Sequence, residues 1–393
     1  MKILILHNRY QIVGGEDGTV HREKALLEAH GHSVYLLEVN NDNIKTILDK
    51  IKTAFGTIYS YSSVRLVSRA IAKFSPDIVH IHNFFPKLSP SIYFACQKLN
   101  VPVVQTLQNY RLFCAAYSFY RDGKVCEDCL HKTFPWPGVV HGCYRGSKVG
   151  TAAVATMQYT HRILGTWNNL VDCYITPTEF VRQKFIEAGL PESKLFVKPN
   201  FLAPDPGCGQ GIGGYALFVG RLSPEKGIDT LLRAWQRIGK KMPLKIVGEG
   251  PLTDQVVADS DESESIEWLG KLPESEVIAL MKEAHLLIFP SLWYEAFPLV
   301  IVEAYAVGLP VIASNIGSQS SLIKHQKTGL HFRPGDAKDL ADQVFWVLNH
   351  TDKISSMKAA ARKEFENQYT AEENYKILMS IYTKVLQSRE FLL

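Results

Sequence analysis

The feature that most constrains this chain is an alternation that runs twice. Short apolar runs of strand length alternate with amphipathic helical stretches, break off once, and resume. The first series of runs covers residues 3–6, 33–38, 77–81, 101–106, 173–176 and 195–198. After residues 199–214, rich in proline and glycine, a second series covers 215–219, 244–247, 266–269, 286–289 and 311–313. Runs that are apolar on both faces fit strands covered on both faces, and strand–helix alternation makes such strands parallel. The fold class expected is α/β, with two Rossmann-like, doubly wound parallel-sheet domains facing across a cleft. We expect a first domain over 1–204, a second over 205–371, and a last helix over 372–393 that returns to the first. A chain of 393 residues is long enough for two cores.

Within this frame, residues 7–10 read His-Asn-Arg-Tyr after the first strand. The glycine fingerprint of a dinucleotide-dependent oxidoreductase is absent there. Residues 110–146 follow neither helical nor strand periodicity and form a cysteine-containing insertion. The first helix is expected from about residue 19, after a glycine turn at 14–18.

The chemistry concentrates in the second series. Glu295 and Glu303 stand eight positions apart across a strand-to-helix junction, at the sheet edge where open α/β sheets bind ligands. The helix start between them offers free N–H groups at Leu299 and Val300 to an anion. Arg221 and Lys226 sit just before another helix start. Cations there oppose the helix dipole, so a bound anion explains them better than stability does. The plainer alternatives are solvated glutamates and a solvated basic loop. Gly248, in Gly-Glu-Gly after the strand at 244–247, is read either as a turn or as a neighbour of a nucleotide.

The turn Gly-Arg-Leu-Ser-Pro-Glu-Lys-Gly at 220–227, followed by Glu-x7-Glu at 295–303, resembles the retaining GT-B glycosyltransferases of the family 4 type. Residues 1–6, 14–16, 77–82 and 308–313 fit the same pattern, so the resemblance spans essentially the whole chain. It implies transfer of a sugar from a UDP- or GDP-sugar to a glycan or lipid-linked acceptor, in bacterial cell-surface polysaccharide synthesis. It also implies retention of configuration and no catalytic divalent ion. In this reading Glu295, Arg221 and Lys226 are catalytic. Gly15, Gly248, Lys271, Leu272, Phe297, Leu299, Val300 and Glu303 line the donor, and His82, Gln108 and Arg111 lie on the sugar and acceptor side. Gln108 stands where the family commonly has a histidine, and a glutamine binds a hydroxyl but carries no proton. Pro298 stands where glycine is common and removes one N–H from the loop. The rival functions are a non-catalytic scaffold of the same fold and a nucleotide-sugar epimerase.

Cys114, Cys126, Cys129 and Cys143 are spaced C-x11-C-x2-C-x13-C within the insertion. Four thiols around a Cys-x2-Cys knuckle fit a structural zinc, with free thiols as the alternative. A net charge of +4 is mild and gives no reason to expect nucleic acid. No apolar run approaches the ~20 residues of a membrane span, and residues 1–9 lack the pattern of a signal peptide. The location expected is cytoplasmic. Residues 45–73 interleave Lys50, Lys52, Arg65 and Arg69 with aromatic and aliphatic residues. They are read either as an inner-membrane contact or as helices packed on the first domain.

Overall fold

The computed structural model describes residues 1–9, 15–41 and 56–390. They form two compact units. One holds Met1–Phe119, Cys126–Pro199 and the chain from Asn374 on, and the other holds Tyr120–Val125 and Asn200–Glu373.

The strands, in chain order, are β1 (Lys2–Asn8), β2 (Ser33–Val39), β3 (Ile78–Asn83), β4 (Val103–Thr106), β5 (Tyr120–Arg121), β6 (Lys124–Val125), β7 (Cys173–Thr176) and β8 (Leu195–Val197). They continue with β9 (Ala216–Val219), β10 (Leu244–Val247), β11 (Ile266–Trp268), β12 (Leu286–Phe289), β13 (Val311–Ser314) and β14 (Gly329–Phe332). The first unit's sheet has the order β2-β1-β3-β4-β7-β8 and the second unit's has β11-β10-β9-β12-β13-β14. Every pairing in both is parallel. Each order reverses direction once, between β1 and β3 in the first sheet and between β9 and β12 in the second. Such reversal points open a crevice at the carboxyl edge.

Why these runs are strands is plain from what each residue covers. In the second sheet, Ala216, Phe218, Leu244, Ile246, Leu286, Ile288, Ile312, Leu330 and Phe332 face one apolar layer. Their neighbours Leu217, Val247, Leu287, Phe289, Val311 and Ala313 face the other. Strand side chains alternate between faces, so a sheet covered twice needs an unbroken apolar run. Helix Ile228–Ile238 supplies Ile228, Leu231, Leu232, Trp235 and Ile238 to the first of these layers, at helical spacing. Trp235 is fully buried, and its indole N–H donates to the Met242 carbonyl at 2.8 Å. Burying a large apolar side chain of this kind contributes roughly 1.5–3 kcal/mol.

In the first unit, Ile3, Ile5, Ile78, Val104 and Ile175 share a layer with Val20 and Leu27 of helix Gly15–Ala29. Leu378, Ile381, Tyr382 and Val385 of the last helix, Ala371–Glu390, join them. That helix is therefore part of the first unit's core from Asn374 on.

Several expectations need correction. The first helix begins at Gly15, not near residue 19, so Gly15 is a helical residue rather than a turn. The helix expected to run unbroken from 148 to 167 ends at Ile163. Gly165, with φ 65°, turns the chain into the separate turn Thr166–Asn169. β14 was not expected at all. The insertion is not patternless: it contains the hairpin β5–β6, turning through Asp122 and Gly123 at φ 53° and 78°, and helix Trp136–His141. Of the basic segment at 45–73, residues 42–55, with Lys50 and Lys52, lie outside the described residues. The remainder includes helix Tyr61–Phe74, capped by the Ser60 hydroxyl, which accepts from the Ser63 N–H.

Candidate active site

The carboxyl edge of the second sheet gathers the second unit's candidate residues. Arg221 follows β9, Gly248 follows β10, Lys271 and Leu272 follow β11, and Glu295 lies in the loop after β12. The loops pack against one another with no room for side chains at two points. Gly227 adopts φ 74°, and a Cβ there would lie 2.0 Å from the Pro290 carbonyl oxygen. Gly248 adopts φ 138°, and a Cβ there would lie 1.9 Å from the Gly220 carbonyl oxygen. Only glycine combines these angles with that closeness.

Gly227 thereby lets the turn Pro224–Lys226 lie directly on the β12 loop. The Leu292 N–H donates to the Glu225 carbonyl at 2.8 Å, and the Ser291 hydroxyl oxygen lies 3.3 Å from the same carbonyl oxygen. Lys226 is brought to Glu295 in this way. Its Nζ lies 2.5 Å from Glu295 Oε1. The same oxygen accepts from the Trp293 indole N–H at 2.6 Å and the Ser291 hydroxyl at 2.9 Å. Gln319 braces the loop from helix Gly317–Leu322, its amide donating to the Ser291 and Trp293 carbonyls at 3.4 and 3.3 Å. Among the described residues, Glu295 Oε2 takes no hydrogen bond. Glu295 is thus fixed by one oxygen and open at the other, with its residue only 7% exposed. Lys226 also lies 5.6 Å from the Trp293 ring and 5.8 Å from the Phe289 ring. Arg221 contrasts with Lys226. It is exposed, and among the described residues its guanidinium has no hydrogen bond or ion pair.

Helix Leu299–Ala306 starts at Pro298, which provides no side-chain cap. The Ile301 N–H is taken by the Pro298 carbonyl at 3.0 Å, which leaves the Leu299 and Val300 N–H groups as the outward donors of that turn. Glu303 is half-buried one turn further on. Phe297, Leu299, Val300 and Leu272 pack on the core layer beneath, with Phe297 edge-on to Tyr369 at 6.3 Å. Their side chains therefore serve the core, and what they can offer a ligand is backbone.

In the first unit the structure separates the sugar-side candidates. His82, at the end of β3, is buried, and its Nε2 lies 3.0 Å from Glu23 Oε1. Glu23 also pairs with Lys198 at 2.8 Å and His80 at 3.1 Å, while Lys198 reaches Asn374 Oδ1 at 3.1 Å. His80 bonds Tyr382 and Thr106, each at 2.7 Å. Burial, reinforced by His80, pulls the His82 pKa down to about 4, so the ring is neutral near pH 7. Burial opposes ionisation of Glu23, but Lys198 and the two histidines prevail and hold its carboxyl well below the usual range. The network contains its own cation in Lys198, which explains the carboxylate without a ligand. Among the described residues, Glu23, His80 and His82 are the one metal-capable group whose ligand atoms lie mutually within 4.8 Å.

Gln108 stands half-buried just past β4. Arg111 is turned into the insertion instead. Its guanidinium donates to the Ala115 carbonyl and lies 4.5 Å from the Phe85 ring and 4.8 Å from the Tyr117 ring. Cys114, Cys126, Cys129 and Cys143 are all reduced, and the electrostatic environment of Cys129 includes the other three. Burial first, then those neighbours, push the Cys129 thiol up to about 11. No three of their sulfurs stand within 4.8 Å of one another.

Sequence reasoning missed Ser291, Trp293 and Gln319, which fix Glu295, Glu23, which engages His82, and Lys198, which pairs with Glu23. Ser291 and Trp293 were findable, four and two positions before Glu295 in one short loop.

Residues 213–364 match the family described as Glycosyl transferases group 1, and residues 13–205 match Glycosyltransferase Family 4. A glycogen synthase of Mycobacterium tuberculosis is 27% identical over 252 residues, 60% of this chain and 59% of that protein. The D-rhamnosyltransferase WbpZ of Pseudomonas aeruginosa is 31% identical over 161 residues, 40% of this chain and 42% of that protein. These matches span three-fifths of the relatives' length or less. The crystal structure of Anabaena Alr3699/HepE in complex with UDP superposes with a TM-score of 0.66 at 18% identity, covering 99% of this chain and all of that one. With matches to both halves and one fold shared from end to end, the chain belongs to the GT-B glycosyltransferases of group 1.

Proposed function

We propose that this chain is a retaining glycosyltransferase. It moves a sugar from a UDP- or GDP-sugar to a glycan or lipid-linked acceptor, in the cytoplasm, during bacterial cell-surface polysaccharide synthesis. The observation that carries this reading is the charge arrangement at the carboxyl edge of the second sheet. A free cation, Arg221, and an uncapped helix start accompany a carboxylate, Glu295, that Lys226 holds with one oxygen open. Breaking the anomeric C–O bond sends the electron pair to the diphosphate and leaves positive charge on the sugar. Arg221, Lys226 and the Leu299 and Val300 N–H groups offset the first charge. Glu295 Oε2 orients the sugar or offsets the second, and Glu303 takes the ribose hydroxyls. The acceptor hydroxyl attacks the same face, and its proton leaves on the departing phosphate. The glycogen synthase relative favours a glycan acceptor.

The four cysteines of the insertion are proposed as structural zinc ligands, supported by their C-x11-C-x2-C-x13-C spacing. Zinc there requires the sulfurs to draw closer than they stand and to give up their protons.

A thermal-shift panel of UDP-, GDP- and ADP-sugars tests the donor. Ligand at a hundredfold its Kd adds about 2.7 kcal/mol, a rise of roughly 5–10 °C for a domain of this size. No rise with any nucleotide sugar would remove the proposal. Product analysis with and without acceptor then separates transfer from epimerisation and from a binding-only scaffold.

A further inference from the structure

Arg111 is a buried cation that the chain leaves without a counter-charge. Residues 78–121 contain no aspartate or glutamate, and neither do residues 129–171. Arg111 is 7% exposed and, among the described residues, forms no ion pair. Taking a charge out of water without such a partner is costly.

The surroundings hold this cation in place rather than neutralise it. Its Nη1 donates to the Ala115 carbonyl. Its guanidinium carbon lies 4.5, 4.8 and 5.3 Å from the centres of the Phe85, Tyr117 and Tyr144 rings. The walls of this slot are themselves tied. The Gln158 amide donates to the Arg111 carbonyl at 2.7 Å, and the Tyr144 N–H donates to the Thr151 hydroxyl at 2.8 Å. Phe85 lies edge-on to Tyr144 at 5.8 Å.

What the slot leaves open is one edge of the guanidinium. Nε–H and Nη2–H take no hydrogen bond among the described residues, and neither is sealed from water. These two groups point the same way, and together they form the fork that grips a carboxylate by two parallel bonds. Tyr117, one wall of the slot, is 45% exposed. Its backbone sits at φ 61°, which a bulky residue adopts only where its surroundings enforce it. Here the Tyr117 N–H donates to the Cys114 carbonyl at 2.9 Å, and the Tyr110 N–H donates to the Tyr117 carbonyl at 3.1 Å. An exposed aromatic ring is thus pinned next to an open, buried fork.

We infer that this slot binds the carboxylate of an acidic sugar, a hexuronic acid, in the acceptor glycan. The Nε–Nη2 fork takes the two carboxylate oxygens, and Tyr117 takes the apolar face of the sugar ring. Charge and shape select this ligand. One buried cation balances one negative charge, whereas a phosphate monoester or a diphosphate brings more than a single guanidinium offsets. A slot walled by aromatic rings also fits a planar group better than a tetrahedral one. The inference rests on the glycan acceptor proposed above and narrows it to a glycan that carries an acidic sugar.

Saturation-transfer NMR titration of the full chain, without nucleotide, tests it. The probes are methyl β-D-glucuronide and methyl β-D-galacturonide, each against its neutral glucoside or galactoside. At least one uronide should bind about 10-fold more tightly than its neutral counterpart, as a bidentate charge-assisted pair warrants. R111K keeps the charge and loses the fork, R111Q loses both, and each should close that gap. Y117G, which suits the left-handed backbone, should weaken uronide and neutral sugar alike. UDP or GDP should stabilise the three variants as it does the wild type, which shows folded protein. It also separates this test from the donor proposal, since the sugar titration needs no donor. Four results would overturn the inference: equal binding of uronide and neutral sugar, no binding of either, a gap that survives R111K and R111Q, or inorganic phosphate displacing the uronide at concentrations below the uronide's own Kd.

Discussion

Replacing Lys226 with methionine isolates the ion pair at the centre of the site. The substitution keeps the length of a side chain whose Nζ lies 5.6 Å from the Trp293 ring and 5.8 Å from the Phe289 ring, and removes only the charge. The side chains of Lys226 and Glu295 are 21% and 10% exposed, so the pair is mostly but not fully withdrawn from water. Breaking a fully buried pair from one side costs about 3–5 kcal/mol. Glu295 keeps two donors, Trp293 and Ser291, so about 2 kcal/mol is the expected loss, a Tm lower by roughly 4–8 °C. K226M/E295Q should regain part of that stability, because the buried carboxylate that lost its cation is gone. In turnover the two should act as a unit. K226M and E295Q should each lower kcat/KM by about 10²-fold or more, and the double variant should be little worse than the poorer single. Calorimetric unfolding and steady-state kinetics on the four proteins complete the cycle. Additive losses in both stability and rate would show that Lys226 and Glu295 work independently, and the reasoning from their contact would fail.

Arg221→Ala should leave stability within about 0.5 kcal/mol, since its side chain is exposed and, among the described residues, unpartnered, yet lower kcat/KM by ~10²-fold; equal rates for variant and wild type would detach it from the leaving group. Glu303→Ala should raise the Kd for UDP or GDP, and Glu295→Ala should mainly lower kcat with nucleotide still bound; the opposite pattern would reverse their roles. Metal analysis of protein purified without added metal should find about one zinc per chain, and four freely alkylated thiols in the native protein would reject the cysteine site. The His82 pKa of about 4 lies below the unfolded value of 6.5, so the unfolded chain binds the extra proton and stability falls as pH drops through that window. The full loss is about 3 kcal/mol for that group, and His82→Asn should flatten the acid side of a Tm–pH profile; an unchanged slope would assign the acid sensitivity elsewhere.

Much of the fold was legible because doubly covered parallel strands must be apolar throughout, and runs such as Leu286–Phe289 have no other reading as compact. β14 escaped because His331 interrupts a short run that opens on Gly329. The hairpin β5–β6 escaped because each strand has two residues, although Asp122-Gly123 is the turn pair that such hairpins favour. At the site, Arg221, Lys226, Glu295 and Glu303 were identifiable as residue types at a sheet edge. That Lys226 bonds Glu295, 69 positions away, depends on Gly227 lying against Pro290, which periodicity does not encode. The same holds for His82. Its contact with Glu23, which Lys198 pairs in turn, joins three distant segments, and only their packing shows that the imidazole is already committed.

The central claim is that the carboxyl edge of the second sheet binds a nucleoside diphosphate through Arg221 and Lys226. Titration calorimetry of the full chain and of R221A/K226A with UDP and with GDP tests it most directly. The account predicts one site per chain for one of the two nucleotides, with affinity at least ~10-fold weaker in the variant, each charge-assisted contact being worth about 1.5–3 kcal/mol. No heat with either nucleotide, or the same affinity in both proteins, would contradict it.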